Sequence, residues 1–316
     1  MYSFKCMQQS ETDFSRVAAG ADERVAGVSR VIVITGPTAT GKSALAVRLS
    51  KMIGGEIVSA DSMQIYKYMD IGTAKPTPEE LKEVSHHLVN VAHPSEEYSV
   101  KRYVDDAVRC IDGIFRRGNT PIITGGTGLY IDSLLSGRDF SARNKDGLRK
   151  ELEAEYDLKG GQFMLELLST LDPQSAQTLH ANDKKRIVRA IEVYKSTGKT
   201  ISQHNLETQQ YLPRYDAVKI ALTYSDRSKL YEKINIRVEQ MIEAGLEQEV
   251  RGLIKMNIPK NSTAMQAIGY KQMLGAIDGE ISMSEAIEQI KQESRRYAKR
   301  QLTWLRRDKT VQWLAW

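Results

Sequence analysis

Short β-branched runs alternate with amphipathic stretches through the first half of the chain. Val31–Thr35 is a continuous apolar run ending at glycine, which predicts a buried strand. Ala44–Met52 follows with apolar residues at helical spacing through Ala44, Leu45, Leu49 and Met52. Glu56–Ser59 and Pro121–Thr124 read as two further strands, the second running into Gly125-Gly126. Between them, Val104, Ala107, Val108, Ile111 and Phe115 mark one face of a helix over Val100–Arg117. Strand and helix in this rhythm predict an α/β fold, a parallel sheet wrapped by helices.

The pattern changes from about Phe140 to His204. Leu148–Tyr156, Gln162–Leu171 and Asp183–Ser196 all have helical periodicity with no strand between them. Strand character returns at Val218–Thr223, and a long helix is predicted over Ser228–Met256. A last helix, from about Ser284 to Arg306, is opened by Ser282 and Glu285 at the spacing of a capping box. We therefore expect a core domain from residues 30–139 and 205–316, interrupted by a helical insertion at 140–204. Residues 1–29 mix both signs of charge without an apolar block, and are expected to form a mobile extension rather than a secretory signal.

Composition narrows the class only slightly. Across 316 residues, 41% hydrophobic and 27% charged is the balance of an ordinary globular protein. No run approaches the roughly 18 uncharged apolar residues of a membrane span, so no membrane partner is expected. Cys6 and Cys110 stand far apart with no companion at a ligand or redox spacing, which points to a reducing, cytoplasmic setting. The adjacent His86 and His87 would point apart on any regular element, and no third ligand stands at a suitable spacing.

The chemistry begins between the first strand and the first helix. Gly36-Pro37-Thr38-Ala39-Thr40-Gly41-Lys42-Ser43 is a G-x-x-x-x-G-K-S phosphate-binding loop. Its glycines let successive N–H groups turn toward phosphate oxygens. Lys42 adds a positive charge, the Ser43 hydroxyl can hold Mg²⁺, and the following helix contributes its positive end. This makes the sheet P-loop NTPase-like. The neighbouring strands lack the acid and water-positioning group that a nucleotide hydrolase requires. Glu56–Ser59 leads instead into Asp61, at the carboxyl edge where open α/β sheets bind ligands. Asp61 is open to three roles at this point: metal ligand, substrate-orienting group or base.

Several segments in order resemble the tRNA dimethylallyltransferases of the isopentenyltransferase group. They are GPTATGKS at 36–43, SADSMQIYKYMDIGTAKP at 59–76, HHLVN at 86–90, GGTGLY at 125–130, NDKKRIVRAIEVY at 182–194, AIGYKQ at 267–272 and RRYAKRQLTWLRRD at 295–308. The resemblance implies transfer of the dimethylallyl group from dimethylallyl diphosphate to N6 of adenosine 37, beside the tRNA anticodon. It also implies Asp61 as the base, Thr127 near the reacting diphosphate oxygens, and Arg237 with Lys42 holding the diphosphate. The family commonly has an acid at the position of Asn90. A short segment after the basic helix, with no cysteine beyond Cys110, matches the bacterial form. A monomer is expected.

The net charge of +5 is concentrated. Residues 182–200 carry six Lys or Arg against two acids, and residues 291–310 carry eight against two. Helical geometry places Lys185, Arg189 and Glu192 on one face and Ile187, Ala190, Ile191 and Tyr194 on the packing face. Such clusters favour phosphate backbones. By resemblance, the tRNA anticodon stem-loop is contacted by Asp61, Ser62, Met63, Gln64, Thr127, Arg149, Lys185, Arg186, Ile187, Val188 and Arg189. A small-molecule kinase, an adenylate prenyltransferase and a non-catalytic RNA-binding protein are the rival readings.

Overall fold

The computed structural model describes residues 29–137, 147–208 and 211–316. The extension expected at 1–29 lies outside them except for Ser29, as does the expected start of the insertion at 140. Among the described residues two compact units are present, one formed by residues 29–135 and 214–316 and the other by 136–137, 147–208 and 211–213.

The first unit is built on a parallel sheet of β1 (Arg30–Thr35), β2 (Gly55–Ser59), β3 (His86–His87), β4 (Thr120–Thr124), β5 (Asp216–Thr223) and β6 (Gln312–Ala315). Their order is β3-β2-β4-β1-β5-β6, and every pairing is parallel. β1 and β4 are apolar on both faces, as expected of strands covered by helices on two sides. Ile32, Ile34, Ile57, Ile122 and Ile220 pack against Ala46, Val47 and Leu49 of the helix Lys42–Ile53. The helix Val100–Arg116 buries Tyr103, Val104, Ala107, Ile111 and Ile114, and is opened by Ser99, whose side chain accepts the Arg102 N–H. Because the strands are parallel, the loops that follow β1, β2 and β4 emerge at one edge.

The long helix expected over Ser228–Met256 is two helices, Arg227–Glu243 and Leu246–Lys255. Gly245 divides them with φ 99° in the left-handed region. The apolar periodicity runs on past this break, from Val238 to Leu246 and Val250, so spacing alone did not reveal it. The last helix, Met283–Leu305, has the expected capping box between Ser282 and Glu285. β3, β6 and the helices Pro78–Glu83 and Tyr270–Ile277 were not predicted.

The second unit is helical among its described residues. Leu152, Met164, Leu168, Ile187, Val188, Ala190 and Ile191 form its core. Asp172 is the buried polar anchor, accepting hydrogen bonds from the hydroxyls and amides of Ser175 and Ser202.

Candidate active site

Three loops meet at the carboxyl edge of the sheet and are stitched together by their backbones. Ala60 N donates to Thr124 O (2.7 Å), Gly125 N to Ile34 O (3.2 Å) and Thr127 N to Ala60 O (3.1 Å). A Cβ on Gly125 would collide with the Ala60 carbonyl, and one on Gly36 with the Leu222 carbonyl. Only glycine permits these approaches.

The phosphate loop is held in shape from inside. Lys42 Nζ donates to Pro37 O at 2.7 Å, and the buried Thr40 hydroxyl donates to the same oxygen at 2.9 Å. Tyr224 and Trp316 donate from outside to Ala39 O and Thr40 O. Gly41 caps the helix Lys42–Ile53 in the left-handed conformation, and Leu45 N makes a helical bond back to Gly41 O. The preceding N–H groups of Lys42, Ser43 and Ala44 therefore have no partner within the helix, and together with its dipole they suit an anion. Ser43 is exposed in the first turn. A single hard oxygen at this position suits Mg²⁺, which keeps its waters and takes its other ligands from substrate phosphates.

Beside the loop lies a cleft of about 310 Å³ whose lining includes Thr38, Asp61, Met63, Arg237, Tyr297 and Arg300. Asp61 Oδ1 accepts from Met63 N (2.9 Å) and Gln64 N (3.3 Å); among the described residues Oδ2 makes no hydrogen bond. Thr127 Oγ1 accepts the Ser62 N–H at 3.0 Å and donates to Ser62 Oγ at 3.3 Å. The Gln64 amide is turned inward, donating to Thr73 O and Ala74 O and accepting from Ser59 Oγ.

Electrostatics mark the same place. Burial lowers the Lys42 ammonium to about 7, with repulsion from Arg237 in the same direction and attraction from Asp61 opposing it. Burial also lowers the Arg237 guanidinium from its ordinary value, again opposed by Asp61. Two cations held close in a partly dehydrated pocket attract an anion strongly, because the anion relieves their mutual repulsion. Burial, with Asp61 adding to it, pushes the Tyr297 phenol up to about 12.

A family model described as IPP transferase matches residues 64–308, and one described as isopentenyl transferase matches residues 29–92. A tRNA dimethylallyltransferase of Acetivibrio thermocellus is 48% identical over 288 residues, covering 91% of this chain and 92% of the relative. One from Carboxydothermus hydrogenoformans is 49% identical over 285 residues, covering 90% and 91%. Among solved structures, a full-length tRNA isopentenylpyrophosphate transferase from Bacillus halodurans superposes with TM-score 0.68 at 41% identity, covering 91% of this chain and 90% of that one. A eukaryotic dimethylallyltransferase acting on tRNA superposes with TM-score 0.75 at 31% identity, covering 88% and 70%. The chain belongs to this family. It is a tRNA-modifying prenyltransferase with an α/β, P-loop-like fold.

The residues singled out from sequence fall into three groups, of which the first is the phosphate loop 36–43, where Thr38 lines the cleft and Lys42 turns back to Pro37 O. Asp61, Ser62, Met63 and Arg237 also line the cleft, with Thr127 hydrogen-bonded to Ser62 beside it. Arg149, Lys185, Arg186, Ile187, Val188 and Arg189 belong to the second unit. There Arg149, Lys185 and Arg186 are exposed, whereas the Ile187 and Val188 side chains are 0% exposed in the core. Glu192, expected on the outer face, is 1% exposed and pairs with Arg189 at 2.8 Å. His87 pairs with Glu56 rather than with His86, and Asn90 accepts a hydrogen bond from Lys75 at 2.6 Å.

Sequence reasoning missed two supports of the site. Glu249 accepts from the backbone N–H groups of Asp70, Ile71 and Gly72 and from the Tyr270 hydroxyl (2.6–3.2 Å), holding the segment after Asp61 as part of the cleft wall. Gln301 links the phosphate loop to the glycine turn after β4. The only signal for Gln301 was a polar residue four positions after Tyr297, on a face that is otherwise buried.

Proposed function

We propose that the protein transfers the dimethylallyl group of dimethylallyl diphosphate to N6 of adenosine 37 in tRNA, in the cytoplasm. The observation that carries this reading is that Asp61 and Arg237 line one cleft beside the phosphate loop, and that the half-buried Lys42 of that loop lies close enough to interact electrostatically with both. An exocyclic adenine amine is a weak nucleophile, so the allylic C–O bond must break early. Positive charge grows on carbon while the electron pair leaves with the diphosphate. The loop N–H groups, Lys42 and Arg237 stand where that negative charge develops. As the N–C bond forms, the N–H becomes acidic and its proton passes to the Asp61 carboxylate. The Ser43 hydroxyl would hold Mg²⁺, which when bound would help neutralise the leaving group.

On the nucleic-acid side, adenosine 37 has to leave its stack to reach the cleft. Ser62, Met63 and Thr127 meet it there, and Arg149, Lys185, Arg186 and Arg189 supply phosphate contacts. Ile187 and Val188 contribute by supporting the helix Lys184–Thr197 that carries the basic residues. The protein acts as a monomer.

The test is to incubate the purified protein with Mg²⁺, dimethylallyl diphosphate and an anticodon stem-loop bearing adenosines 36 and 37, and to analyse the RNA by mass spectrometry. Gain of one dimethylallyl group at adenosine 37 is the expected result. Transfer to free AMP but not to RNA would replace this reading with the adenylate enzyme, and phosphoryl transfer from ATP would replace it with a kinase.

A further inference from the structure

The two halves of the proposed reaction depend on different loops. The leaving group is held by residues 36–43 after β1, and the proton acceptor Asp61 sits after β2. Backbone bonds to β4 and its turn (Ala60 N to Thr124 O, Gly125 N to Ile34 O) join the two loops at their bases. Among the described residues no hydrogen bond links their reactive side chains directly, so the spacing of those side chains is set through the turn after β4.

We propose that Gln301 is a positioning residue that fixes the distance between the phosphate loop and the loop carrying Asp61. It is only 6% exposed, on the helix Met283–Leu305. Its Oε1 accepts the Thr38 N–H at 3.0 Å and its Nε2 donates to Gly126 O at 3.0 Å. Thr38 N is a donor and Gly126 O an acceptor, so a single orientation of the amide satisfies both. The hydroxyl of Tyr297, one turn earlier, donates to the same Gly126 oxygen at 3.4 Å. A Cβ on Gly126 would collide with Gln301 Nε2, so glycine is needed for the contact.

From Gly126 the connection continues along the chain. Thr127 N donates to Ala60 O at 3.1 Å, and Thr127 Oγ1 accepts the Ser62 N–H at 3.0 Å. Asp61 is thus gripped on both sides by the residue next to the one Gln301 holds. The series Thr38, Gln301, Gly126, Thr127 and then Ala60 and Ser62 on either side of Asp61 is a continuous link from the leaving-group side of the cleft to the base. Displacement at a carbon between a departing oxygen and an incoming nitrogen depends steeply on alignment, and a misplacement of about 1 Å costs roughly a hundredfold. Gln301 touches neither substrate in this scheme and acts only through the two loops.

The inference rests on the proposed transfer reaction, so wild-type turnover on the same substrates is the control. Absence of wild-type transfer would reject that reaction and not the role of Gln301 in particular. Two variants separate positioning from packing. Gln301→Met keeps the volume and removes both hydrogen bonds. Gln301→Glu keeps the acceptor for Thr38 and sets a repelling oxygen against Gly126 O. Single-turnover transfer with both substrates saturating should fall roughly a hundredfold in each, while binding of dimethylallyl diphosphate and of the stem-loop, measured separately, stays within about threefold of wild type. Gly126→Ala, whose Cβ would displace the Gln301 amide, combined with Gln301→Met should slow transfer by much less than the product of the single effects, because both break one contact. Unchanged transfer, multiplicative effects in the double variant, or loss of rate matched by loss of substrate binding would each overturn the proposal.

Discussion

At the scale of single residues, Glu56 is a buried charge that serves the fold rather than the cleft. Its carboxylate accepts from Arg117 Nε and Nη2 and from Asn119 (2.7–2.8 Å), and lies 2.6 Å from His87 Nε2. The Arg117 hydrogen bonds, chiefly, draw it down from 4.5 to about 2, with Asn119 and His87 adding and burial opposing. The folded value is the lower one, so this contribution to stability is complete above about 4.5 and is lost as pH falls toward about 2. Glu56→Gln should lower stability by about 2 kcal/mol near neutral pH. The gap from wild type should close on acidification across that window. Urea unfolding at a series of pH values measures it, and a gap independent of pH would refute the assignment. Lys42 and Arg237 are a contrast, since burial works against their charge and no carboxylate within hydrogen-bonding distance compensates it among the described residues. Such frustration marks a site for an anion.

At the scale of elements, the strands and helices nearest the phosphate loop were legible because local signals agree with their surroundings. β1, β2, β4 and β5 are apolar β-branched runs bounded by glycine or polar residues, and the Ser282–Glu285 capping box announces its helix. Elements whose existence depends on distant partners were not legible. β3 is two residues long and forms only because β2 offers an edge, and β6 leaves Gln312, Trp313 and Ala315 exposed, so neither carries a periodicity. The break at Gly245 failed for a related reason, since one glycine in an amphipathic run is often tolerated inside a helix. Two glycines in this region should respond oppositely to alanine. Gly245 has φ 99°, so Gly245→Ala should destabilise by about 1–2 kcal/mol. Gly252 lies inside the helix Leu246–Lys255 with nothing near its absent Cβ, so Gly252→Ala should stabilise by about 0.5–1 kcal/mol. Thermal unfolding of both variants decides this; changes of the same sign would contradict the placement of the break.

At the scale of the whole molecule, the candidate site is assembled from positions that are remote in sequence. Thr38, Asp61, Arg237 and Arg300 share a cleft because three parallel strands end at one edge and the helices Arg227–Glu243 and Met283–Leu305 contribute to its wall. The loop and Asp61 could be read locally, from a motif and from a strand end. Arg237 could not, because on its helix it looks like any solvated charge until the cleft is seen, and only the family resemblance singled it out. Gln301 is further still from its partners, 263 positions from Thr38. The basic helix Lys184–Thr197 was readable as a helix with a packing face, but the inward turn of Glu192 toward Arg189 was not. The central claim is that the phosphate loop grips a leaving group while Asp61 accepts the proton from the attacking nitrogen. It is tested most directly by the single-turnover rate of dimethylallyl transfer to a bound anticodon stem-loop by Asp61→Asn, with RNA affinity measured alongside. The rate should fall by roughly a hundred- to ten-thousand-fold with RNA affinity retained; transfer at the wild-type rate would contradict the account.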